Sequence, residues 1–287
     1  MNPCLSIVVP AYNEAVILPV TLDCLRAFLM RQSFAAEVII VDDGSTDDTA
    51  VLVGEWQRAF KSLRLLRNPL NLGKGASIRR GILASAGDCV FVTDADLPGR
   101  PEDILRLLEA LRDGAAVAIA SRRPAPMSSA PSRSRFLASV VYRTLVRAIL
   151  KLPLRDTQCG FKAFVREPLL PVVEGLRLGG FSFDVEFLFA AWKRELPIRE
   201  VEFDVVERRA TRHAILLQSP RMLMDLLRIR FAAAGPWRHA RRQIAELGPL
   251  PDRSGDDVLA RDSDLPRRQL DFKLEADREG PLPNRES

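Results

Sequence analysis

Histidine is scarce in this chain of 287 residues and occurs only at His213 and His239. A histidine-based catalytic triad and a multi-histidine metal site are therefore disfavoured, and acid-base chemistry falls to carboxylates. The four cysteines are widely separated and form no C-x-x-C pair. This spacing suggests neither a zinc site nor a disulfide framework.

Long apolar runs are also missing, since no segment reaches the roughly 18 consecutive apolar residues of a membrane span. The first residues, MNPCLSIVVPAYNE, show no basic stretch followed by a cleavage pattern, so we expect a cytoplasmic protein. No G-x-G-x-x-G follows the first predicted strand, and no G-x-x-x-x-G-K-[ST] occurs. These absences argue against hydride transfer with a nicotinamide cofactor and against a P-loop.

Positive charge is present in excess and is unevenly distributed along the chain, whose net charge is +5. Residues 114–155 contain eight Lys or Arg and no acid, and residues 208–242 contain nine Arg and one acid. Such basic tracts predict anionic partners, namely phosphates, a lipid surface or nucleic acid, although a solvated surface explains them as well.

The first 120 residues alternate between short apolar runs and segments with helical spacing. The runs predict strands at residues 5–9, 38–41, 63–66, 90–92 and 116–120, with helices between them. Ser45 and Thr46 are predicted caps of the helix that ends near residue 60. This alternation predicts an α/β fold, a mostly parallel sheet with helices on both faces.

The pattern changes after residue 123, which divides a predicted domain of residues 1–247 into halves at 1–123 and 124–247. Residues 134–151 and 216–242 predict amphipathic helices rich in arginine. Each segment fits an amphipathic helix at a membrane interface. For residues 134–151, a core helix with one solvent-exposed stripe fits equally well. Residues 248–287 are polar and aperiodic, which predicts a disordered tail.

Polar residues follow the predicted strands at the point where each strand ends. Because the carboxyl ends of parallel strands meet at one edge, where open α/β sheets bind ligands, we expect these residues to form one site. The segments are Pro10–Glu14, Asp42-Asp43, Arg67-Asn68, Asp94-Ala95-Asp96 and Ser121-Arg122-Arg123.

Asp94 and Asp96 are the most informative of these residues. A D-x-D pair is weak by itself, since Asp262 and Asp264 in the tail match it too. Placed after a buried strand, however, paired carboxylates suit Mg²⁺ or Mn²⁺, with a diphosphate filling the open coordination positions. The alternative is a turn with helix-capping acids.

Asp43 and Lys74 are weaker candidates on neighbouring segments. A carboxylate at the end of a strand accepts hydrogen bonds from a base or ribose in dinucleotide folds, although Asp43 also suits a helix cap. Lys74 lies in the glycine-rich NLGKG segment. It predicts a phosphate contact, with a solvent-exposed lysine as the alternative.

The chain resembles glycosyltransferase family 2 in the segments SIVVPAYNE, VIIVDDGSTDDTA, NLGKGASIRRG, VFVTDADL, DTQCGFKAF and FDVEFLFAA. Within that family it is most similar to the enzymes that act on dolichyl or polyprenyl phosphate, with DTQCGFK favouring the glucosyl type. The resemblance implies a GT-A fold and an inverting transfer from a nucleotide sugar to a lipid phosphate. It also implies a divalent metal, Mg²⁺ or Mn²⁺.

The resemblance also implies roles for individual residues. Those expected to bind the nucleotide sugar are Pro10, Tyr12, Glu14, Val41, Asp43, Lys74, Asp94, Ala95, Asp96 and Arg122, with Asp94 and Asp96 as metal ligands. Those expected at the acceptor are Asp156, Gln158, Lys162 and Arg212. The catalytic candidates are Asp94, Asp96, Asp184 and Glu186, and a helix-start cap is the alternative for Asp184 and Glu186.

The chain departs from the family pattern at two places. Many relatives carry a further metal-binding side chain two residues after the second aspartate, where this chain has Pro98, which cannot ligate. The stretch ERRATRHAILL lacks the Ser-Lys pair usual near that point, and Arg212 is the proposed substitute.

The expected partners are therefore a nucleotide sugar, with UDP-glucose favoured, a polyprenyl phosphate and the cytoplasmic face of a membrane. A lipid monophosphate is largely dianionic at neutral pH, so it needs cationic positioning more than deprotonation. Nucleic acid is not expected, because the basic tracts have little aromatic interleaving. The alternatives are a mannosyltransferase using GDP-mannose, a nucleotidyltransferase, and a non-catalytic lipid- or nucleic-acid-binding module.

Overall fold

The computed structural model describes residues 4–122, 133–157, 159–180, 182–203 and 215–232, and within these only the backbone at 122, 133–139, 215–221 and 232. The strands are β1 (Leu5–Ala11), β2 (Ala36–Asp42), β3 (Leu63–Arg67), β4 (Cys89–Val92), β5 (Val117–Arg122), β6 (Lys162–Val165) and β7 (Ile198–Phe203). The helices are α1 (Leu18–Leu29), α2 (Thr49–Ala59), α3 (Lys74–Ala84), α4 (Asp103–Arg112), α5 (Arg133–Leu150), α6 (Arg166–Gly175), α7 (Phe183–Lys193) and α8 (Ile215–Ala232).

The strands form a 7-stranded sheet in the order β3-β2-β1-β4-β6-β5-β7. Strand β6 is antiparallel to both of its neighbours, and the other pairings are parallel. The predicted mostly parallel α/β sheet is confirmed. The sequence analysis did not predict β6 or β7, which come from the second half of the chain.

Both faces of the sheet are covered by helices, as the near-continuous apolar strands require. On β1 the side chains of Ile7 and Val9 enter one core cluster with α1, α2 and α4. Val8 points the other way and packs in a second cluster with α3, α6 and α7. Each of these three side chains is fully buried, which is why the strand shows no polar alternation.

The predicted caps of α2 are corrected by the structure. The helix begins at Thr49, so Ser45 and Thr46 lie three or more residues before its start and do not cap it. Ser45 Oγ instead accepts a hydrogen bond from the N–H of Asn13 at 2.9 Å, and the N–H of Thr46 donates to Asn13 Oδ1 at 2.9 Å. These polar residues therefore tie the loop after β2 to the loop after β1.

Helices α5 and α8 lie in the part of the chain predicted to contain amphipathic helices. Val146 and Leu150 of α5 are buried in the second core cluster, while Val141 is 50% exposed, so the described half of α5 packs one face against the core. Helix α8 begins at Ile215 and buries Leu226 and Ile229. Residues 233–242 of the predicted helix and the predicted tail at 248–287 lie outside the described residues.

Membrane-spanning segments were sought among the described residues. No helix there is both long enough and apolar enough to cross a bilayer.

Candidate active site

The carboxyl ends of β1, β2 and β4 meet at one edge of the sheet, and charged side chains converge there. Lys74, the first residue of α3, places its Nζ atom 2.5 Å from Oδ1 of Asp94. Partial burial disfavours the charge on Lys74, but the carboxylates of Asp94, Asp184 and Asp96 outweigh it and raise the pKa of Lys74 above its ordinary value. The ammonium group therefore stays charged among the acids that the sequence predicted.

The loop before β6 closes the other side of Asp94. Because β6 is antiparallel to β4, Lys162 at its start pairs with Val92 at the end of β4, which brings the preceding loop to the same edge. A Cβ atom on Gly160 would lie 2.4 Å from Oδ2 of Asp94. A glycine at this position leaves room for the carboxylate. This contact accounts for the glycine of the TQCGFK segment.

Lys162 and Asp184 form a buried ion pair beside this loop. The Lys162 Nζ atom lies 2.8 Å from Oδ1 of Asp184 and also donates to the carbonyl of Cys159 at 2.5 Å. Lys162 is only 3% exposed, so its charge needs both partners. The pair joins β6 to the first turn of α7, and through Cys159 it also holds the loop that contacts Asp94.

Asp43 holds the glycine-rich loop that precedes Lys74. Its carboxylate accepts hydrogen bonds from the N–H groups of Leu72 and Gly73 at 3.0 and 2.8 Å. It also accepts one from Asn68 Nδ2 at 2.7 Å. Asp43 is therefore engaged in shaping the loop that presents Lys74, and it is 3% exposed.

Asn68 is the centre of a small buried network behind Asp43. Its Nδ2 also donates to Ser77 Oγ at 2.9 Å, and its Oδ1 accepts a hydrogen bond from Arg80 at 2.6 Å. Arg80 further donates to the carbonyl of Arg67 at 2.8 Å. The network fixes the end of β3 against the first turns of α3.

The start of α3 is pinned against a glycine pair in the loop before α7. The N–H groups of Gly75 and Ala76 donate to the carbonyl of Gly179 at 2.7 and 3.2 Å. Gly73 has a φ of +97° and approaches Gly179 so closely that a Cβ atom there would lie 2.5 Å from its carbonyl oxygen. These two amides are therefore already hydrogen-bonded within the protein, while the Lys74 side chain extends to Asp94.

Glu186, a catalytic candidate, holds the same loop. Its carboxylate accepts hydrogen bonds from the N–H groups of Arg177 and Leu178, the latter at 2.9 Å. Burial raises the pKa of Glu186 above its ordinary value, and these hydrogen bonds with the neighbouring Arg177 and Arg79 charges offset it only in part. The structure thus places Glu186 on the residues that precede Gly179, while Asp184 is placed near Lys74.

The predicted nucleotide-binding residues of β1 and β2 lie side by side. Pro10 pairs in register with Val41, one residue before Ala11 pairs with Asp42. Tyr12 is 44% exposed at the edge, and Glu14 is half-buried in the following turn. Ala95, between the paired aspartates, is buried and its carbonyl accepts a hydrogen bond from Thr21 Oγ1 at 2.6 Å.

Other predicted residues lie at or beyond the limits of this arrangement. Arg122 is the last residue of β5, and only its backbone is described. Asp156 is buried, and its N–H donates to Glu200 Oε1 at 3.1 Å. Gln158 and Arg212 lie outside the described residues.

Three residues that shape the geometry of the site were missed by the sequence analysis, namely Arg80, Gly160 and Gly179. Asn68 was predicted only as part of the Arg67-Asn68 segment at the end of a strand. The only sequence signal for Gly160 was its position within the TQCGFK motif. No sequence signal marks Gly179, because its role depends on contacts with α3, which is distant in the chain.

The mostly parallel sheet, with paired aspartates and a lysine at its carboxyl edge, has the architecture of a GT-A glycosyltransferase. The chain belongs to glycosyl transferase family 2, whose family model matches residues 6–170, more than half of its length. It is therefore a glycosyltransferase, and the predicted family is confirmed.

Named relatives and solved structures agree with that assignment. A dolichyl-phosphate beta-glucosyltransferase of Dictyostelium discoideum is 35% identical over 254 residues, which cover 83% of this chain and 77% of that protein. The Homo sapiens protein of the same name is 34% identical over 250 residues, 82% of this chain and 77% of that protein.

Similar solved structures include glucosyl-3-phosphoglycerate synthase from Mycobacterium tuberculosis. Its complex with UDP matches with a TM-score of 0.59 and 24% identity, over 79% of this chain and 80% of that chain. Its complex with Mn²⁺, UDP and glucosyl-3-phosphoglycerate matches with a TM-score of 0.58 and 21% identity, over 88% and 82%. These matches confirm the GT-A fold.

Proposed function

We propose that the protein transfers glucose from UDP-glucose to a dolichyl or polyprenyl phosphate, with inversion at the sugar. The observation that carries this proposal is the convergence of Lys74, Asp94, Asp96 and Asp184 at the carboxyl edge of the sheet. The names of the similar beta-glucosyltransferases support the choice of glucose and of a lipid phosphate.

A divalent cation, Mg²⁺ or Mn²⁺, fits the residues present at this edge. Asp94 and Asp96 offer carboxylate oxygens, which are the ligands these hard cations prefer. The Lys74 ammonium lies on one of those oxygens, so the position already attracts positive charge. Within the described residues no third Asp, Glu, His or Cys completes a metal cluster, which leaves positions for the donor's diphosphate.

The protein's own residues have distinct tasks in this proposal. Asp94 and Asp96 would hold the cation, and its charge would offset the negative charge that develops on the departing diphosphate. Lys74 contributes further positive charge to the same group. The acceptor phosphate is already mostly dianionic at neutral pH, so it attacks without a general base. The buried pair of Lys162 and Asp184 positions the acceptor-side loop, and we propose that Asp156, Gln158 and Arg212 complete that side.

The proposed activity is tested by supplying a panel of nucleotide sugars with Mn²⁺ or Mg²⁺ and a short polyprenyl phosphate. We expect UDP and a glucosylated lipid by mass spectrometry, and a loss of about 100-fold or more in Asp94→Asn. The matched control is Asp113→Asn, an exposed aspartate paired with Arg199. Transfer of mannose from GDP-mannose, or release of pyrophosphate, would identify one of the alternative activities instead.

We propose further that α8 rests on the cytoplasmic face of a membrane. Leu223, Met224, Leu227 and Phe231 are all exposed and recur at helical spacing on one face of α8, with Phe231 73% exposed. Arg228 and Arg230 are exposed beside them. An apolar stripe flanked by arginines fits the interface of a bilayer that contains anionic lipids.

Vesicle flotation tests this contact with full-length protein. Binding to phosphatidylcholine vesicles that contain phosphatidylglycerol is expected to fall when Met224 and Phe231 are both changed to Ser. The control changes to Ser both Met30, which directly follows α1, and Val51 of α2. These residues are 76% and 63% exposed, and the two helices cover the opposite face of the sheet. Equal flotation of both double variants would exclude α8 as the contact.

A further inference from the structure

The Lys74–Asp94 contact has a consequence for how the site is filled, if Asp94 is the metal ligand that the proposed function makes it. The ammonium nitrogen lies 2.5 Å from Oδ1 of Asp94, a direct charge-assisted hydrogen bond. A cation that binds the Asp94 carboxylate through this oxygen meets a positive charge already in place. Lys74 and the metal therefore compete for Asp94.

The neighbouring charges explain why Lys74 chooses this partner. Asp94, Asp184 and Asp96 all act on Lys74 electrostatically. Asp184 has a second cationic partner in Lys162 at 2.8 Å, whereas Asp94 is the carboxylate in direct contact with Lys74. Paired acids repel each other unless a positive group lies between them, and Lys74 supplies that group.

The anchoring of Lys74 leaves its side chain able to change partners. Its backbone neighbour Gly75 is fixed to Gly179 by the hydrogen bond of 2.7 Å, so the root of the side chain is held. The side chain itself is 24% exposed, and its ammonium lies on Asp94 at the edge where the diphosphate is expected. A lysine ammonium on a flexible stem can rotate from a carboxylate to a phosphate without moving the helix.

We propose that Lys74 is an exchangeable counter-cation that makes metal and nucleotide enter the site together. In the free protein Lys74 balances the charge of Asp94 and weakens the binding of a lone divalent cation. When the diphosphate arrives with the cation, the metal takes Asp94 and Lys74 moves onto the phosphate. Binding of a divalent cation without the nucleotide is thereby disfavoured.

Mn²⁺ titration with and without UDP tests this exchange, followed by calorimetry and by the electron paramagnetic resonance signal of free Mn²⁺. We expect wild type to bind Mn²⁺ at least about tenfold more weakly alone than with UDP. In Lys74→Met, Mn²⁺ alone should bind about tenfold more tightly, while UDP with Mn²⁺ binds more weakly. Lys61→Met, at an exposed lysine, is the matched control and should behave as wild type.

The outcomes separate this inference from the proposed function. If Lys74→Met and Lys74→Gln bind Mn²⁺ alone no better than wild type, yet Mn²⁺ and UDP still bind together, the exchange is wrong and the donor site stands. If wild type binds no Mn²⁺ even with UDP, the metal-dependent function fails and the exchange fails with it. Circular dichroism confirms that each variant is folded.

Discussion

The Nζ atom of Lys162 lies 2.8 Å from Oδ1 of Asp184, and the two side chains are only 4% and 12% exposed. The pair joins the antiparallel strand β6 to the first turn of α7. Through the Cys159 carbonyl it also holds the loop whose Gly160 contacts Asp94. The parts of the site proposed for the acceptor and for the donor are thus connected by one buried lysine.

Removing one partner of this pair should be more damaging than removing both. Lys162→Met or Asp184→Asn leaves a buried group without its partner, so each should lower the free energy of unfolding by about 3–5 kcal/mol. The double variant should lose less than the sum, as measured by urea denaturation. The exposed pair of Arg199 and Asp113 is the control, and its Asp113→Asn change should cost under about 1 kcal/mol.

Gly160→Ala should impair the metal site, because the new Cβ atom would lie 2.4 Å from Oδ2 of Asp94. We expect binding of Mn²⁺ with UDP to weaken by about tenfold or more, with a stability loss of about 1–3 kcal/mol. Gly54→Ala is the matched control, since a Cβ there meets nothing within 4 Å on helix α2. That change should stabilise the protein by about 0.5–1 kcal/mol and leave binding unaltered. Equal binding by both variants would contradict the role of Gly160.

Asn68→Ala should loosen the glycine-rich loop, because it removes the partners of Asp43, Ser77 and Arg80 at once. We expect a loss of about 2–4 kcal/mol in the free energy of unfolding, together with weaker UDP binding by calorimetry.

The control for Asn68→Ala is Ser6→Ala at the opposite edge of the sheet. Ser6 Oγ donates to Glu37 Oε1 at 2.7 Å and accepts from the N–H of Gly87. This variant should lose stability without losing UDP affinity. If Asn68→Ala behaves in the same way, the network supports the fold alone.

Glu186 should make stability depend on pH, because burial raises its pKa above the ordinary value of a glutamate. Folding favours the protonated form, so this contribution to stability is fully present below the unfolded pKa. It is lost as the pH rises through the higher folded pKa. Denaturation of wild type and Glu186→Gln at several pH values should therefore show the advantage of wild type shrinking as the pH rises above the unfolded pKa of a glutamate. The exposed Glu55→Gln should show no such trend.

The donor side of the site was largely predictable from local patterns. Strands β1 to β5 were each predicted, and acids or lysine at their carboxyl ends follow from chain order alone. Strands β1 to β4 are all paired in parallel, so their carboxyl ends lie at one edge of the sheet. Locating the apolar runs in the sequence is therefore sufficient to place Asp43 and Asp94 at that edge. The paired aspartates were predicted for this reason and Lys74 for its glycine-rich segment, and the structure brings Lys74 into contact with Asp94.

The acceptor side was predictable only as a list of residues. Strand β6 was missed because its four residues carry no alternation, and it inserts between β4 and β5 against chain order. Without that insertion nothing indicates that Lys162 meets Asp184 or that Gly160 meets Asp94. The predicted caps of α2 failed for a related reason, since Ser45 and Thr46 bind a distant loop instead of their own helix.

The amino-acid sequence by itself determined the class of fold, the edge of the sheet at which the predicted site residues meet, and the chemical types of those residues. These properties depend on short-range periodicity and on the rule that parallel strands end together. Only the tertiary structure decided which charges neutralise each other and which glycines make room for them. Those contacts join residues that are distant in the chain, so their energies depend on three-dimensional distance, and no local pattern encodes it.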